Sequence, residues 1–319
     1  MAKALKIIQK KYIKKKDLID SHLTLEFNGI DISILNAIRR VCFDDIPTYS
    51  FCDESIYIEE NSSRFDNDYM RMRISQFTIP NIKNDVTYLE DSYWKNINYK
   101  DDSREKHPKD KLNFQIIVNS LNDTNDILNV TTNDIITIKN DQKINPFNSK
   151  YPHLIIKLKP GENFKCRAEG VLGIGHRNNI WSAIKIAYYE QKSDNDFIFN
   201  IKSCNQYEEY DILIKSCDII NHKLNLIKKK LENSQTNDKE LITVISNEDH
   251  TIGNILTTDL QKNLNISYVG YSKPDLLIKE IKIKIKSKDK SPVLYLSKSC
   301  DNLIKTFNTI KEKLNKLKH

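Results

Sequence analysis

Glycine and proline are scarce in this sequence, and its cysteines are not clustered. The 319 residues include only 7 glycines and 8 prolines, and 39% of the residues are hydrophobic, which excludes a disordered tail and predicts a globular protein. The six cysteines form no C-x-x-C pair. We therefore expect no clustered zinc site and expect reduced, mostly buried thiols.

Long apolar runs are also missing. No run approaches the roughly 18 to 20 residues that span a bilayer, and the N-terminus, MAKALKIIQKK, lacks the apolar core of a signal peptide. We expect a soluble, intracellular protein. The charge balance is mildly basic, with 50 basic and 43 acidic residues and a net charge of +7, which suits work near nucleic acid although most of this charge should be solvated surface.

The most informative feature that is present is an internal repeat. A shift of 218 positions aligns residues 23–38, LTLEFNGIDISILNAI, with residues 241–256, LITVISNEDHTIGNIL, without a gap. In the first copy Leu23, Leu25 and Phe27 alternate with polar residues, which predicts a half-buried strand. Each copy is therefore predicted to begin with a short strand.

A helix is predicted after each of these strands. Asp31 and Asp249 occupy the N-cap positions, where a carboxylate accepts hydrogen bonds from first-turn amides. Apolar residues then recur three or four positions apart and form one helix face. They are Ile34, Ile38 and Val41 in the first copy and Ile252, Leu256 and Leu260 in the second.

Each copy also ends in a predicted amphipathic helix of roughly two heptads. The apolar stripes are Cys217, Ile220, Leu224, Ile227 and Leu231 in the first copy and Leu303, Phe307, Ile310, Leu314 and Leu317 in the second. Part of each stripe is expected to cover its own sheet, since a seam this short makes no stable free coiled coil. The copies are predicted to pair with each other, as the two identical patches of an isologous dimer do, but within one chain.

The sequence thus predicts an α+β fold, an intramolecular pseudo-dimer of two dimerisation modules with an inserted β-rich domain. The predicted divisions are a discontinuous first module at 1–45 and 186–232, an inserted domain at 46–185, a linker at 233–240 and a second module at 241–319. The insertion contains five predicted strands, SIYIEE, MRMRISQFTI, NFQIIVNS, DIITIKN and HLIIKLK. The basic residues 1–16 are interpreted as an edge strand or arm.

Three stretches carry a resemblance to the α-like subunits of multisubunit DNA-directed RNA polymerases. Two resemble the eukaryotic third subunit and the last is similar to the eleventh subunit and its archaeal counterpart. These stretches are 31–41 with 45–48; 158–162 with 168–170, 173–176 and 181–182; and 248–254 with 269–271 and Pro274. The fusion of two such subunits in one chain resembles the arrangement in large cytoplasmic DNA viruses.

The resemblance implies a non-catalytic assembly subunit that pairs its two halves and recruits the largest and second-largest polymerase subunits for transcription. Small subunits resembling the tenth and twelfth are implied as further partners, and nucleic acid would be met only through the complex. Catalysis would belong to the two largest subunits, so no catalytic residue, metal or cofactor is expected in this chain. A viral polymerase subunit would be found in host cytoplasm and in the virion.

The resemblance also implies which residues meet the large subunits, namely Arg39, Arg40, His176 and Trp181. Arginine presents a fork of donors suited to carboxylates and carbonyls at an interface, and tryptophan beside a polar rim is a common interface anchor. The alternatives are solvated arginines at a helix C-terminus and local packing of His176 and Trp181.

A larger set is expected at the contact between the two halves. Asn36 and Asn254 either face solvent or form a hydrogen bond that fixes the helix crossing, as one buried asparagine can fix register. Gly253 is expected to let a partner backbone approach. The apolar members are Ile34, Ile38, Val41, Ile220, Leu224, Ile227, Ile252, Leu256, Phe307, Ile310 and Leu314.

Two other functions are compatible with the sequence. A stand-alone basic nucleic-acid-binding protein would bind through its positive charge, with a steep salt dependence. An enzyme using His176 and a cysteine would need a partly exposed thiol of perturbed pKa beside that histidine.

Overall fold

The computed structural model describes residues 5–13, 21–81, 86–90, 112–232, 239–275, 277–289 and 291–318, with positions 93, 94, 97, 99, 108 and 110. Most of the predicted linker, 233–238, and the ends of the predicted basic arm, 1–4 and 14–16, lie outside these residues. The central part of the arm forms an edge strand, and Glu240, assigned to the linker by the sequence, begins the following strand.

The first half of the chain is a four-stranded antiparallel sheet covered by two helices. The strand order is β1-β2-β13-β12. The elements are β1 (Lys6–Ile13), β2 (His22–Asn28), α1 (Ile32–Asp44), β12 (Ile184–Ser193), β13 (Asp196–Ser203) and α3 (Glu209–Glu232).

The second half repeats this plan with one strand fewer. Its antiparallel sheet has the order β14-β16-β15. The elements are β14 (Glu240–Ser246), α4 (His250–Gln261), β15 (Ile266–Ser272), β16 (Glu280–Ser287) and α5 (Pro292–Lys318). The ends of β2 and β14 differ by the same 218 positions that align the sequence repeat, from His22 to Glu240 and from Asn28 to Ser246.

The insertion separates α1 from β12, where the second half has only a short turn between α4 and β15. Its main sheet has the order β4-β10-β5-β7-β8, and two smaller sheets pair β11 with β3 and β6 with β9. The elements are β3 (Thr48–Ser50), β4 (Ile56–Asn61), α2 (Asn67–Ser75), β5 (Phe114–Leu121), β6 (Leu128–Thr131), β7 (Ile136–Lys139), β8 (Gln142–Lys143), β9 (Leu154–Leu158), β10 (Asn163–Glu169) and β11 (Val171–Gly173).

One predicted strand in the insertion is wrong. The run MRMRISQFTI falls mostly in α2, which begins after the N-cap Asp66. Met70 and Ile74 are buried whereas Met72 is 56% exposed, so burial repeats every four residues and not every two. The alternation of apolar and polar residues fits a strand only if Met72 faces the core, and Met72 faces solvent.

Two large hydrophobic cores organise the chain. One contains residues from β2, α1, α3, α4, β16 and α5 and therefore spans both halves. The other lies between Tyr49 and Ile174, within the insertion. Ile46 and Ala183 are the last residues on either side of the insertion that belong to the core of the two halves. They lie near the predicted domain boundaries, 45/46 and 185/186. The division into domains stays a proposal.

The helices at the ends of the two halves are longer than predicted. α3 has 24 residues and α5 has 27, against the roughly two heptads expected. Within the described helices, no segment combines the length and apolar character needed to cross a membrane.

Candidate functional site: the junction of the two halves

The long helices α3 and α5 pack against each other along equivalent residues. Every residue of the α3 stripe has a buried counterpart 83 positions later in α5, as from Leu224 to Phe307. The pairs are Cys217 and Cys300, Ile220 and Leu303, Leu224 and Phe307, Ile227 and Ile310, and Leu231 and Leu314, and all are at most 5% exposed. The predicted interface residues of both helices therefore lie in one shared core.

Two ion pairs flank the seam, which is the contact between α3 and α5. The pseudo-twofold axis that relates the two halves maps one ion pair onto the other. Lys228 Nζ lies 2.7 Å from Asp301 Oδ1, and Lys311 Nζ lies 2.6 Å from Asp218 Oδ1. The offset of 83 positions carries Lys228 to Lys311 and Asp218 to Asp301. Because these side chains are about a third exposed, each pair contributes at most about 1 kcal/mol.

An asparagine pair does join the halves, but it is not the predicted one. Asn221 Nδ2 on α3 donates to Asn308 Oδ1 on α5 at 2.9 Å. Asn36, by contrast, is half-buried and accepts from Arg39 Nε of its own helix at 3.1 Å, and Asn254 is half-buried. Asn36 therefore forms a hydrogen bond within its own helix, and not the predicted one that would fix the helix crossing.

The shorter helices α1 and α4 exchange ion pairs through their N-caps. Asp31 and Asp249 both cap as predicted, accepting from the amides of Ser33 and Thr251. Asp249 Oδ2 also lies 2.9 Å from Arg40 Nη2 near the end of α1.

The reciprocal contact joins the other cap to the end of α4. Asp31 Oδ2 lies 3.0 Å from Nζ of Lys262, the C-cap residue of α4. Burial would raise the pKa of Asp249, but the Thr251 amide and Arg40 hold that pKa below its ordinary value.

The apolar residues predicted on these two helices are also in the shared core. Ile34, Ile38, Val41, Ile252 and Leu256 are each at most 8% exposed.

Gly253 is buried, and the approach of a partner backbone to it stays a prediction. A Cβ at Gly253 would overlap the ring of Tyr271, which stands on β15 of the same half. The missing side chain therefore makes room for an aromatic ring of the second half.

A buried cluster of three charges closes the junction on one side. Lys223 on α3 lies 2.9 Å from Asp45 Oδ2 and 3.4 Å from Glu248 Oε2. Asp45 is the C-cap of α1, and Glu248 precedes the N-cap of α4. The side chains of Lys223 and Glu248 are each only 7% exposed, so this contact links the halves inside the protein.

Two carboxylates compete for the single ammonium of this cluster. Burial would lower the pKa of Lys223, but Asp45 and Glu248 hold that pKa above its ordinary value. Burial raises the pKa of Glu248 to about 7 despite the neighbouring Lys223. We infer that the shorter contact pairs Lys223 with Asp45, which leaves Glu248 the more readily protonated carboxyl.

Replacing Glu248 with glutamine is expected to remove a pH dependence of stability. Folding raises the pKa of Glu248 from 4.5 to about 7, so the folded protein holds a proton that the unfolded chain releases across that window. Stability therefore falls as the pH rises through this window and stays lower above it. The Glu248→Gln variant should match wild type near pH 5 and exceed it by about 1 to 3 kcal/mol at pH 8, in urea titrations.

The matched control for this prediction is Glu240→Gln. Glu240 lies on the outer face of the second sheet, where Lys284 and Lys286 contact it and lower its pKa. This variant should show no gain at pH 8. A Glu248→Gln protein less stable than wild type at pH 8 would contradict the assignment.

His176, one of the residues expected to meet large subunits, lies in a turn that is docked on the end of α1. Its side chain is exposed, and its backbone N–H donates to the carbonyl of Asp44 at 2.8 Å. Gly175 permits this approach, because a Cβ there would collide with the carbonyl of Phe43. Arg39 and Arg40 are both part-exposed, so the end of α1 and this turn form one surface.

Trp181 is not part of that surface, which corrects the expectation of an interface anchor. It is only 3% exposed, and its indole N–H donates to the carbonyl of Val171 at 3.0 Å. Its ring fills the space left by the missing side chain of Gly173 and stacks on Tyr99 at 5.4 Å between centroids. Local packing, the alternative, describes this residue.

The thiols offer no reactive partner for His176. Five of the six cysteines are buried and Cys204 is partly exposed. Burial raises the pKa of Cys204 to about 11, so this thiol is protonated at neutral pH and is a poor nucleophile. Among the described residues, no group of three or more His, Cys, Asp or Glu side chains is placed to hold a metal ion.

Comparisons with known proteins match both halves of the chain. The model of the RNA polymerase Rpb3/Rpb11 dimerisation domain matches residues 24–224, and a second model of that description matches residues 240–313. A provisionally named DNA directed RNA polymerase subunit of Acanthamoeba polyphaga mimivirus is 28% identical over 95% of this chain and 92% of its own length.

Two further relatives match one part each. Subunit Rpo3 of the Methanocaldococcus jannaschii DNA-directed RNA polymerase is 24% identical, over 63% of this chain and 86% of that protein. A provisionally named RNA polymerase II subunit RPB11 of Plasmodium falciparum is 37% identical over 71 residues, which are 22% of this chain and 56% of that protein.

Proposed function

Because this chain belongs to the RNA polymerase Rpb3/Rpb11 dimerisation-domain family, with one such domain in each half, we propose that it is the assembly platform of a DNA-directed RNA polymerase. Its two halves pair within one polypeptide and offer a joint surface to the largest and second-largest subunits. Catalysis, with its magnesium ions and nucleotides, belongs to those subunits. Small subunits resembling the tenth and twelfth are further proposed partners.

The single core that spans both halves supports this proposal most strongly. Relatives that match one part of the chain are named as separate polymerase subunits, Rpo3 and RPB11. The junction brings both types together through a buried seam and reciprocal ion pairs. One chain thereby supplies a paired unit without an association step, which suits the first stage of building a large complex.

The surface proposed to contact a large subunit consists of the end of α1 and the turn that carries His176. Arg39 and His176 contribute exposed or part-exposed polar side chains there. Arg40 belongs to the same surface, because its side chain is 34% exposed even though it pairs with Asp249. Its Nε is buried without a hydrogen-bond partner in the described structure.

Arg40→Ala is expected to weaken capture of the second-largest subunit, by about 2 to 5 kcal/mol if the contact is a buried charged pair. The matched control is Asp249→Asn, which removes the ion pair with Arg40 but keeps a residue that caps helices well. Capture should fall in the first variant and persist in the second. Equal loss in both would assign Arg40 to the junction of the halves and not to the partner.

The proposal as a whole is tested by affinity purification of the tagged full chain from cells that express the complete polymerase. Mass spectrometry should identify the two largest subunits in stoichiometric amounts. Recovery of the chain alone, together with binding of free nucleic acid that weakens steeply with salt, would support the stand-alone nucleic-acid-binding alternative.

A further inference from the structure

The two halves share one backbone plan, so two copies of the chain have two ways to pair. A first half can meet a second half, or two first halves can meet while two second halves meet. The strands β2 and β14, and the helices α1 and α4, correspond at an offset of 218 positions. The helices α3 and α5 correspond at an offset of 83 positions, since α3 begins at Glu209 and α5 begins at Pro292. These offsets give the side chains that each like pair would bring together.

A pair of second halves would bury a carboxylate without the lysine that now contacts it. Glu248 is buried, and Nζ of Lys223, on α3 of the first half, lies 3.4 Å from its Oε2. The α5 residue equivalent to Lys223 is Thr306, which carries no charge. Because an uncompensated buried charge is strongly destabilising, Glu248 excludes this pair.

A pair of first halves meets no such obstacle. Asp31 would occupy the place of its equivalent Asp249, which lies 2.9 Å from Arg40, and Lys223 would keep its 2.9 Å contact with Asp45. However, each pair of first halves leaves two second halves to pair with each other, so an obstacle to second-half pairing opposes both like pairs.

The ion pairs along the long helices do not discriminate. In a pair of first halves Lys228 would meet Asp218, and in a pair of second halves Lys311 would meet Asp301. Each combination is again a lysine facing an aspartate. These pairs supply affinity for any partner of this shape, and the choice of partner must come from elsewhere in the junction.

We propose that Glu248 is a specificity determinant that disfavours the pairing of two second halves, so that the chain closes on itself and does not pair with copies through like halves. The inference deepens the proposed assembly role, on which it rests. It follows the general rule that specificity is often obtained by making the wrong complexes unfavourable.

The test uses the full chain with a protease site inserted within residues 233–238. Two preparations with different N-terminal tags are folded separately, mixed, cut and incubated at pH 8, where Glu248 is ionised. Incubation in mild urea continues until mass-labelled second halves have redistributed between the two tags. Capture on one tag then measures how many first halves of the other tag are bound to it.

The decisive variant is Glu248→Leu. Lys223 keeps its 2.9 Å contact with Asp45, so the unlike pair is preserved. Wild type should give no mixed-tag first halves. The variant should raise the ratio of like to unlike pairs by about 100-fold, the change expected when a buried charge no longer opposes like pairing.

A second variant, Glu248→Gln, changes less volume and should give the same result if leucine prevents folding. The control, Glu240→Leu, makes the same change on the surface and should behave as wild type. Free mixing in wild type, or no mixing in both variants, would overturn the proposal. Capture of the large subunits is measured separately on the uncut chains, so a failure of the assembly role is distinguishable.

Discussion

Lys223→Met is expected to lower the free energy of unfolding by about 3 to 5 kcal/mol, because it leaves buried charge without compensation. The ammonium it removes faces two carboxylates, from Asp45 and Glu248, and its side chain is only 7% exposed. Methionine fills much of the same volume, so the loss reports the charge and not a cavity. Urea titration at pH 8 measures it.

The matched control for Lys223→Met is Lys228→Met, on the same helix. Lys228 also contacts an aspartate of the second half, but its side chain is 33% exposed, so the expected loss is at most about 1 kcal/mol. Adding Glu248→Gln to Lys223→Met should recover part of the loss by removing one of the stranded charges. Equal losses of unfolding free energy in Lys223→Met and Lys228→Met would show that burial adds nothing to the stability that the Lys223 cluster provides.

The local elements of the junction could be predicted from the sequence because their signals are local. An N-cap aspartate followed by apolar residues at helical spacing specified α1 and α4 at Asp31 and Asp249, and both caps are present. The α+β pseudo-dimer followed from finding the same pattern twice. The α2 helix was missed because a nine-residue segment with apolar residues at every second position satisfies both periodicities.

The polar contacts of the junction could not be predicted, because each depends on where segments meet in space. Asn221 appears in the sequence as one polar residue beside an apolar stripe, and only the crossing of α3 and α5 brings Asn308 to it. Lys223 meets residues 178 and 25 positions away. For Trp181 a signal did exist, since Gly173 eight residues earlier leaves the space that the indole fills.

The inserted domain and the junction have separate cores, and this separation predicts different consequences for equivalent mutations. Phe307 and Phe164 are both 0% exposed, the first in the core shared by the halves and the second in the core of the insertion. Truncating either ring to alanine should cost about 3 to 5 kcal/mol, through lost burial and the remaining cavity. The loss of unfolding free energy therefore does not distinguish the two variants. The region of the structure that is destabilised does distinguish them.

Phe307→Ala is expected to accelerate hydrogen exchange in residues 22–44 of the first half, although the substitution lies in the second half. The reason is that α5 and α1 belong to one core, so loosening the seam opens both halves as one cooperative unit. Phe164→Ala, the matched control, should instead accelerate exchange in residues 114–121 and 163–169, whose strands β5 and β10 pair with each other. Exchange measured by mass spectrometry separates the two patterns. If Phe307→Ala left residues 22–44 as protected as in wild type, the halves would be independent folding units, and the junction would be a contact between finished domains.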